Sequence, residues 1–236
     1  MPEPFHLTAG KIIGLDLFRG MTEGDAAALA GQAAYQRLSE GEYFFMQGDA
    51  PDRLWVLCEG AVRLSQLQED GQQVVLRVIR PVNLFGAVAL AQAGAYPVSA
   101  QAIEPACAAW WKARDLMEMV GRSPQLAMNA MRFMAQRAQE FQDRYREMAT
   151  ERVERRVART LLRLAAQTGK KTPEGVLIDF PLSRQDLAEM TGTTLYTVSR
   201  ILSQWQTQGL ISSGRERVVV VYPHGLVRIA EDLPPR

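Results

Sequence analysis

The sequence predicts an α+β chain in three parts: an N-terminal antiparallel β-roll, one long helix and a C-terminal winged helix-turn-helix. Three observations predict it. Short apolar runs punctuated by glycine fill residues 1–123. A four-three apolar repeat runs through residues 124–150, and two short helical patterns around a glycine, followed by a basic-tipped hairpin, lie in residues 151–236. At 236 residues, 47% of them hydrophobic, the chain can bury a substantial core, and its length fits one or two domains.

The opening MPEPFHLTAG is short and proline-bearing and is expected to be loosely ordered. A helical region is expected over 25–34, then strands at 42–46, 54–58, 61–66, 74–79, 98–103 and 106–111. Gly41, Gly48, Gly60 and Gly71 mark the corners, and Asp70-Gly71 is a hairpin-turn pair. Between the fourth and fifth strands, Phe85-Gly86-Ala87-Val88 leads into a short helical turn. In a closed roll that turn would aim backbone N–H groups inward. With Val98, Ser99 and Ala100 it forms the expected effector pocket.

In the second part, Ala127, Met131, Met134, Ala138, Phe141, Tyr145 and Met148 alternate at four-three spacing. This is the a/d seam of a two-stranded coiled coil, about 33 Å long at about 1.5 Å per residue. A single apolar stripe also suits a helix packed on its own roll. The flanking Arg137, Glu140, Arg144 and Glu147 favour a solvated dimer helix instead.

The third part opens with a helix over 151–166 whose inward side is Val153, Val157, Leu161 and Leu164. It ends at Thr168-Gly169-Lys170-Lys171, and a short strand is expected over 176–180. Ser183 is the predicted N-cap of a helix with Leu187, Ala188 and Met190 on its apolar side. Gly192 supplies the left-handed backbone of a sharp turn. Thr194 caps a second helix with Leu195, Val198, Ile201, Leu202 and Trp205 on its apolar face. Its other face carries Tyr196, Thr197, Ser199, Arg200 and Gln204, the side chains of a recognition helix. A packed αα-hairpin would show the same periodicity. The paired strands around Gly214-Arg215-Glu216-Arg217 favour the winged, DNA-reading alternative, with Arg215 and Arg217 placed to meet phosphates.

Charge agrees with this division. Residues 1–150 hold 14 Lys/Arg against 17 Asp/Glu, a net of −3, whereas residues 151–236 hold 13 against 9, a net of +4. The basic part is the one expected to face phosphates. Cys58 and Cys107 are the only cysteines, which excludes a disulfide scaffold and places the chain in a reducing cytoplasm. Neither a signal peptide nor a run of about 18 apolar residues appears, so no membrane association is expected. An enzyme is also disfavoured. There is no phosphate-binding Gly-Lys loop, no metal-spaced His/Cys group and no Ser/His/Asp set, and only His6 and His224 are available for acid–base work.

Roll, long helix and winged helix-turn-helix, in this order and over nearly the whole chain, resemble the Crp/Fnr family of bacterial transcription regulators. The residues that carry the resemblance are Gly41-Glu42-Tyr43-Phe44-Phe45-Met46-Gln47-Gly48-Asp49, Leu57-Cys58-Glu59-Gly60-Ala61-Val62-Arg63-Leu64 and Thr197-Val198-Ser199-Arg200-Ile201-Leu202. The resemblance implies a homodimer whose cyclic-nucleotide-binding-like roll senses a small signal. It also implies that the C-terminal domains bind a palindromic promoter duplex and that the bound protein contacts RNA polymerase. Arg200 takes the position of the family's base-reading arginine, and Ser199 that of the serine of the Fnr-like branch. Tyr196 stands where a glutamate is usual, so the half-site sequence is open, with a thymine methyl or a phosphate as the alternatives for Tyr196. Thr194, Thr197, Ser183, Arg184 and Gln185 are the expected phosphate contacts.

Aligned to the nucleotide-binding relatives, Ala87 stands where a ribose-binding Glu is expected and Val98 where a phosphate-binding Arg is expected. Each lost charged hydrogen bond costs about 1.5–3 kcal/mol, so cyclic AMP is not expected to fill the roll. An Fnr-type iron–sulfur cluster needs about four thiolates, and this chain has two. Haem stays open, with His6 as candidate axial ligand against the alternative of a solvated tail histidine. His224 is read as a surface turn residue, the methionines as packing, and Cys58 and Cys107 as buried thiols. A haem-based gas or redox sensor, or a regulatory module of an enzyme, are the competing functions. Effector identity, target genes and the choice between activation and repression are not encoded legibly.

Overall fold

The computed structural model describes residues 6–68, 73–91 and 94–233; the expected Asp70-Gly71 turn lies outside them. Contacts divide the chain into two compact units, one up to Glu140 and one from Phe141 onward, so the division falls within the long helix.

The N-terminal unit begins with α1 (Ala9–Ile13), a 3-10 turn (Asp16–Phe18) and α2 (Glu23–Gly31). α2 starts two residues before its expected position because the Thr22 hydroxyl accepts from the Asp25 N–H at 3.1 Å, capping the first turn. Eight strands follow: β1 (Ala34–Leu38), β2 (Tyr43–Phe45), β3 (Arg53–Glu59), β4 (Val62–Leu67), β5 (Gln73–Ile79), β6 (Asn83–Phe85), β7 (Ser99–Ala102) and β8 (Ala106–Lys112). They form two antiparallel four-stranded sheets, ordered β1-β8-β3-β6 and β2-β7-β4-β5. β1 and β6 were not expected from the sequence. Pairing decides both, β1 on β8 (Ala34 opposite Trp110) and β6 on β3 (Trp55 opposite Phe85).

Strand alternation sends β3 and β8 side chains into two cores. Trp55, Leu57, Ala106 and Ala108 face the roll interior. Leu54, Val56, Cys58, Cys107, Ala109 and Trp111 face an outer core shared with Leu17, Phe18, Leu29, Leu116, Leu126 and Phe133. The indole N–H of Trp111 donates to the Leu29 carbonyl at 2.9 Å, tying β8 to α2.

Gly60 joins β3 to β4 with φ +82°, and a Cβ there would collide with the Pro105 carbonyl and stand 2.8 Å from Ala106 Cα. Both backbone strain and overpacking therefore oppose any side chain. Gly60→Ala is expected to cost about 2–4 kcal/mol, read as a lowered urea midpoint at unchanged slope.

After β8 come α3 (Ala113–Arg122), a helix the sequence reading missed, and α4 (Pro124–Thr150), the expected long helix. Ser123 separates them in extended conformation, as the residue before a proline prefers. Two faces of α4 behave differently. Leu126, Asn129 and Phe133 are buried, and the Asn129 amide donates to the carbonyls of Leu17 (3.3 Å) and Arg19 (2.7 Å). On the expected seam Ala127 is half-buried, Ala138 is exposed, and Met131, Met134, Phe141, Tyr145 and Met148 are exposed, from 48% at Met134 to 71% at Phe141.

The C-terminal unit contains α5 (Val153–Thr168), β9 (Gly169–Thr172), β10 (Gly175–Ile178), α6 (Arg184–Thr191), α7 (Leu195–Thr207), β11 (Ile211–Gly214), β12 (Arg217–Val220) and α8 (Pro223–Ala230). Its core is Val157, Leu161, Leu187, Val198, Ile201, Leu202, Trp205 and Leu226, each at most 2% exposed. Leu195, expected on that apolar face, is instead 48% exposed at the first turn of α7. The expected two-stranded wing proves to be half of a four-stranded sheet ordered β11-β12-β10-β9. Gly169-Lys170-Lys171, expected only to end a helix, forms its edge strand. His224, expected in a turn, is exposed in the first turn of α8 behind Pro223, a position proline favours.

Candidate nucleic-acid interface and signal site

Local chemistry builds the helix-turn-helix. The Ser183 hydroxyl accepts from Asp186 N–H at 3.0 Å while the Asp186 carboxylate accepts from Ser183 N–H at 2.9 Å, a reciprocal cap on α6. Gly192 closes α6 with φ +59°, and Thr193 N–H returns to the Ala188 carbonyl at 3.0 Å. Thr194 then caps α7, accepting from Thr197 N–H at 3.2 Å, and the two hydroxyls lie 3.0 Å apart. One side chain unremarkable in sequence holds the turn. The Arg156 guanidinium donates to Thr191 O (2.9 Å), Gly192 O (3.3 Å) and Glu151 O (2.7 Å). No periodicity or motif singles out Arg156 within the run of arginines on α5.

This frame presents a defined outer face on α7. Val198, Ile201, Leu202 and Trp205 anchor its inner side, Tyr196 is 77% exposed, and Arg200 projects into solvent. Among the described residues Arg200 has no hydrogen bond or ion pair, so its fork of donors is open. Ser199 and Thr197 are half-buried beside it. Arg184 and Arg215 are likewise exposed and unpaired among the described residues.

Besides the Thr194–Thr197 hydroxyl pair, three expected phosphate contacts are already engaged. Ser183 Oγ donates to Asp186 at 2.6 Å, Gln185 donates to Glu189 at 3.0 Å, and Arg217 pairs with Glu174 at 3.2 Å. The short reach of Ser and Gln favours partners on their own helix, and the Arg217 partner comes from the β9–β10 hairpin that the sequence reading did not foresee. The wing is also tied to the recognition helix, because the Gln206 side chain accepts from Ser213 N–H (3.0 Å) and Oγ (2.8 Å).

The expected effector pocket resolves into two groups. Phe85 and Ala100 are buried in the roll interior, with Val88 and Val98 packed against them. Ala87, expected in the same pocket, instead packs against the outer core, because the short helical turn after Gly86 directs it there. Ser99 Oγ accepts from the Gln47 N–H at 2.9 Å and bridges β7 to the β2 corner. Aromatic rings fill the interior: Phe45 stacks on Tyr96 (3.8 Å between centroids), Phe44 meets Trp55 edge-on (5.2 Å), and Trp55 stacks on Phe85 (5.9 Å). Tyr96 donates its hydroxyl to Arg53 O at 2.7 Å, and burial pushes its phenol pKa up. The Arg53 guanidinium lies 4.3 Å over the Trp110 ring at the rim. Among the described residues, the strands of the roll bury no charged side chain, and their one buried polar side chain is Ser65 on β4.

His6 lies edge-on to Tyr35 at 5.5 Å, and Tyr35 packs on the outer core, the opposite face of its sheet from Phe85. It therefore does not line the interior where a haem would need an axial ligand. Cys58 and Cys107 are both buried, and burial pushes the Cys58 thiol up to about 11. At pH 8 only about one Cys58 in a thousand would be thiolate. Native protein is thus expected to resist thiol-labelling reagents at pH 8, and labelling should follow unfolding.

Together these features define a class: a chain that carries an aromatic-filled β-roll and a winged helix-turn-helix whose second helix presents an open polar face. Residues 155–229 match the Crp-like helix-turn-helix domain, and residues 35–123 match the cyclic nucleotide-binding domain. The CRP-like cAMP-activated global transcriptional regulator of Mycobacterium tuberculosis is 24% identical over 91% of this chain and 96% of its own length. The cyclic AMP receptor protein of Thermus thermophilus is 28% identical, covering 88% and 93%. The solved structure of FixK2 from Bradyrhizobium japonicum superposes with a TM-score of 0.74 at 25% identity, over 84% of this chain and 96% of that one. The chain belongs to the Crp/Fnr family of DNA-binding transcription regulators. No helix among the described residues is long and apolar enough to cross a membrane.

Proposed function

We propose that the protein is a cytoplasmic homodimer that binds a palindromic promoter duplex and contacts RNA polymerase, under the control of a small signal sensed in the roll. The observation that carries this reading is the open guanidinium of Arg200 on a helix whose opposite face is fully anchored. Arginine in that setting suits the O6 and N7 acceptors of guanine. Tyr196 sits one turn earlier and would meet a thymine methyl or a phosphate. Arg184, Thr194, Thr197 and Arg215 would position the helix on the backbone, with Ser199 beside the bases. Ser183 and Gln185 would contribute through the α6 cap and surface rather than through free donors.

The exposed stripe of Met131, Met134, Ala138, Phe141, Tyr145 and Met148 supports the dimer, since an a/d seam left in solvent asks for a partner helix. Twofold-related recognition helices would then enter successive major grooves about 34 Å apart. The reading is of a regulator, not an enzyme or an enzyme's regulatory module, because the second unit is itself a DNA-binding one.

The test is binding to random and selected duplexes at several salt concentrations. A steep fall in log affinity with log salt is expected on both, with a constant specific increment on the selected duplex; a flat salt response would reject the proposal. Cyclic AMP at millimolar concentration is expected to produce no calorimetric heat and no change in DNA affinity. Protein purified from iron-replete cells is expected to show no Soret band, and a band would reinstate haem sensing.

A further inference from the structure

We infer that Trp55 is the resident occupant of the roll: its indole fills the space over the Gly86 turn, so the signal site is loaded by the chain itself. The inference rests on reading the protein as a DNA-binding regulator. Trp55 is 1% exposed and points inward from β3. Its Cδ1 lies 2.9 Å from where a Cβ on Gly86 would stand, and the Phe45 ring lies 3.4 Å from the same point. Gly86 is at φ +73°, so glycine serves there both for its backbone and because the indole takes the side-chain space.

The manner in which the indole is held sets it apart from an ordinary core tryptophan. Its ring is contacted on several sides, by Phe85 (5.9 Å, 17° between planes), Phe44 (5.2 Å) and Trp110 (6.0 Å). Arg53 adds a guanidinium 5.8 Å from the indole and 4.3 Å from Trp110, covering the rim. Its Nε1–H faces the Tyr96 hydroxyl without closing a well-formed hydrogen bond, whereas the indole N–H of Trp111 on the outer face is bonded to a backbone carbonyl. Buried indole donors usually find an acceptor. Here shape and stacking hold the ring, as a pocket holds a flat apolar ligand. With Ala87 turned to the outer core and Val98 apolar, the two positions where nucleotide-binding relatives are expected to carry a Glu and an Arg offer no charged group. A signal acting on this roll has to move or displace the indole.

Chemical rescue tests this directly on the full-length protein, with a duplex selected from a random pool by the wild type. Wild-type protein with no added small molecule is expected to bind that duplex. Trp55→Ala is expected to bind it about tenfold or more weakly, with non-specific binding unchanged, and millimolar indole is expected to restore most of the loss. Trp55→Phe keeps a ring in place and is expected to bind within about threefold of wild type without responding to indole.

Undiminished binding by Trp55→Ala overturns the inference, as does a loss that indole does not reverse in a protein with the wild-type circular dichroism and dimer mass. A stoichiometric small molecule extracted from active wild-type protein overturns it too. Should Trp55→Ala fail to fold, Trp55→Leu decides: tenfold weaker selected-site binding supports the occupant role, and wild-type binding overturns it. Failure of the wild type to bind any duplex would instead sink the DNA-binding reading itself.

Discussion

Arg200→Ala is expected to abolish most of the difference between selected and random DNA while leaving binding to random DNA nearly intact. The side chain is exposed and has no internal partner among the described residues, so its removal leaves no buried group unsatisfied and the fold should be unaffected. A bidentate contact to guanine is worth about 1–3 kcal/mol of discrimination. A twofold-symmetric site uses two such contacts, so the specific increment should fall by about 2–6 kcal/mol, at least about thirtyfold in affinity. Loss of one charge per subunit that does not primarily contact phosphate should change the salt slope by less than about one per half-site. Competition binding with selected and random duplexes at two salt concentrations measures both quantities. Equal weakening on the two duplexes would show that Arg200 meets the backbone and not base edges.

Phe141→Lys is expected to split the dimer. Phe141 is 71% exposed within one chain, so lysine there costs the folded subunit little. Across a coiled-coil seam the same ring would be buried by its partner. Burying a Phe side chain is worth about 1.5–3 kcal/mol, and twofold symmetry doubles the loss to about 3–6 kcal/mol before the cost of facing two lysines is added. The dimer dissociation constant should therefore rise by at least about a hundredfold. Sedimentation over a concentration series reads this directly. Binding to a full palindrome should drop toward that of a single half-site, while binding to random DNA persists. A variant that still sediments as a dimer at the wild-type midpoint would place the subunit interface elsewhere on the surface.

The two units differ in how legible they were. In the helix-turn-helix, Ser183, Gly192 and Thr194 each act within three or four residues of themselves, as caps or as a left-handed turn. Such features are written locally, and the boundaries of α6 and α7 followed. The apolar spacing of Val198, Ile201, Leu202 and Trp205 also named the buried side of α7 correctly, and with it the outward position of Arg200. The roll was legible as a set of strands but incompletely. β1 and β6 are ordinary short segments until β8 and β3 supply their hydrogen-bond partners.

Side-chain roles were less readable than side-chain positions. Arg215 and Arg217 flank the same turn and look equivalent in sequence, yet among the described residues an ion pair forms at Arg217, with Glu174 brought from 43 residues away, and none at Arg215. Arg156 looks like one solvated arginine among several, yet it holds three carbonyls around the helix-turn-helix turn. Trp55 reads as a generic core aromatic, and its relation to Gly86 exists only once β3 and β6 are paired.

The amino-acid order by itself determined the α+β class, the long helix with its apolar stripe, the winged helix-turn-helix and the family to which these belong. Each rests on residues a few positions apart or on a repeat along one element, and such short-range terms act whatever the rest of the chain does. The tertiary structure alone decided which donors remain open for DNA, and that a ring from β3 fills the roll over the turn after β6. Those outcomes depend on charge pairs, ring stacking and strand register between distant segments. Their free energy exists only after the chain has closed the loops that bring them together.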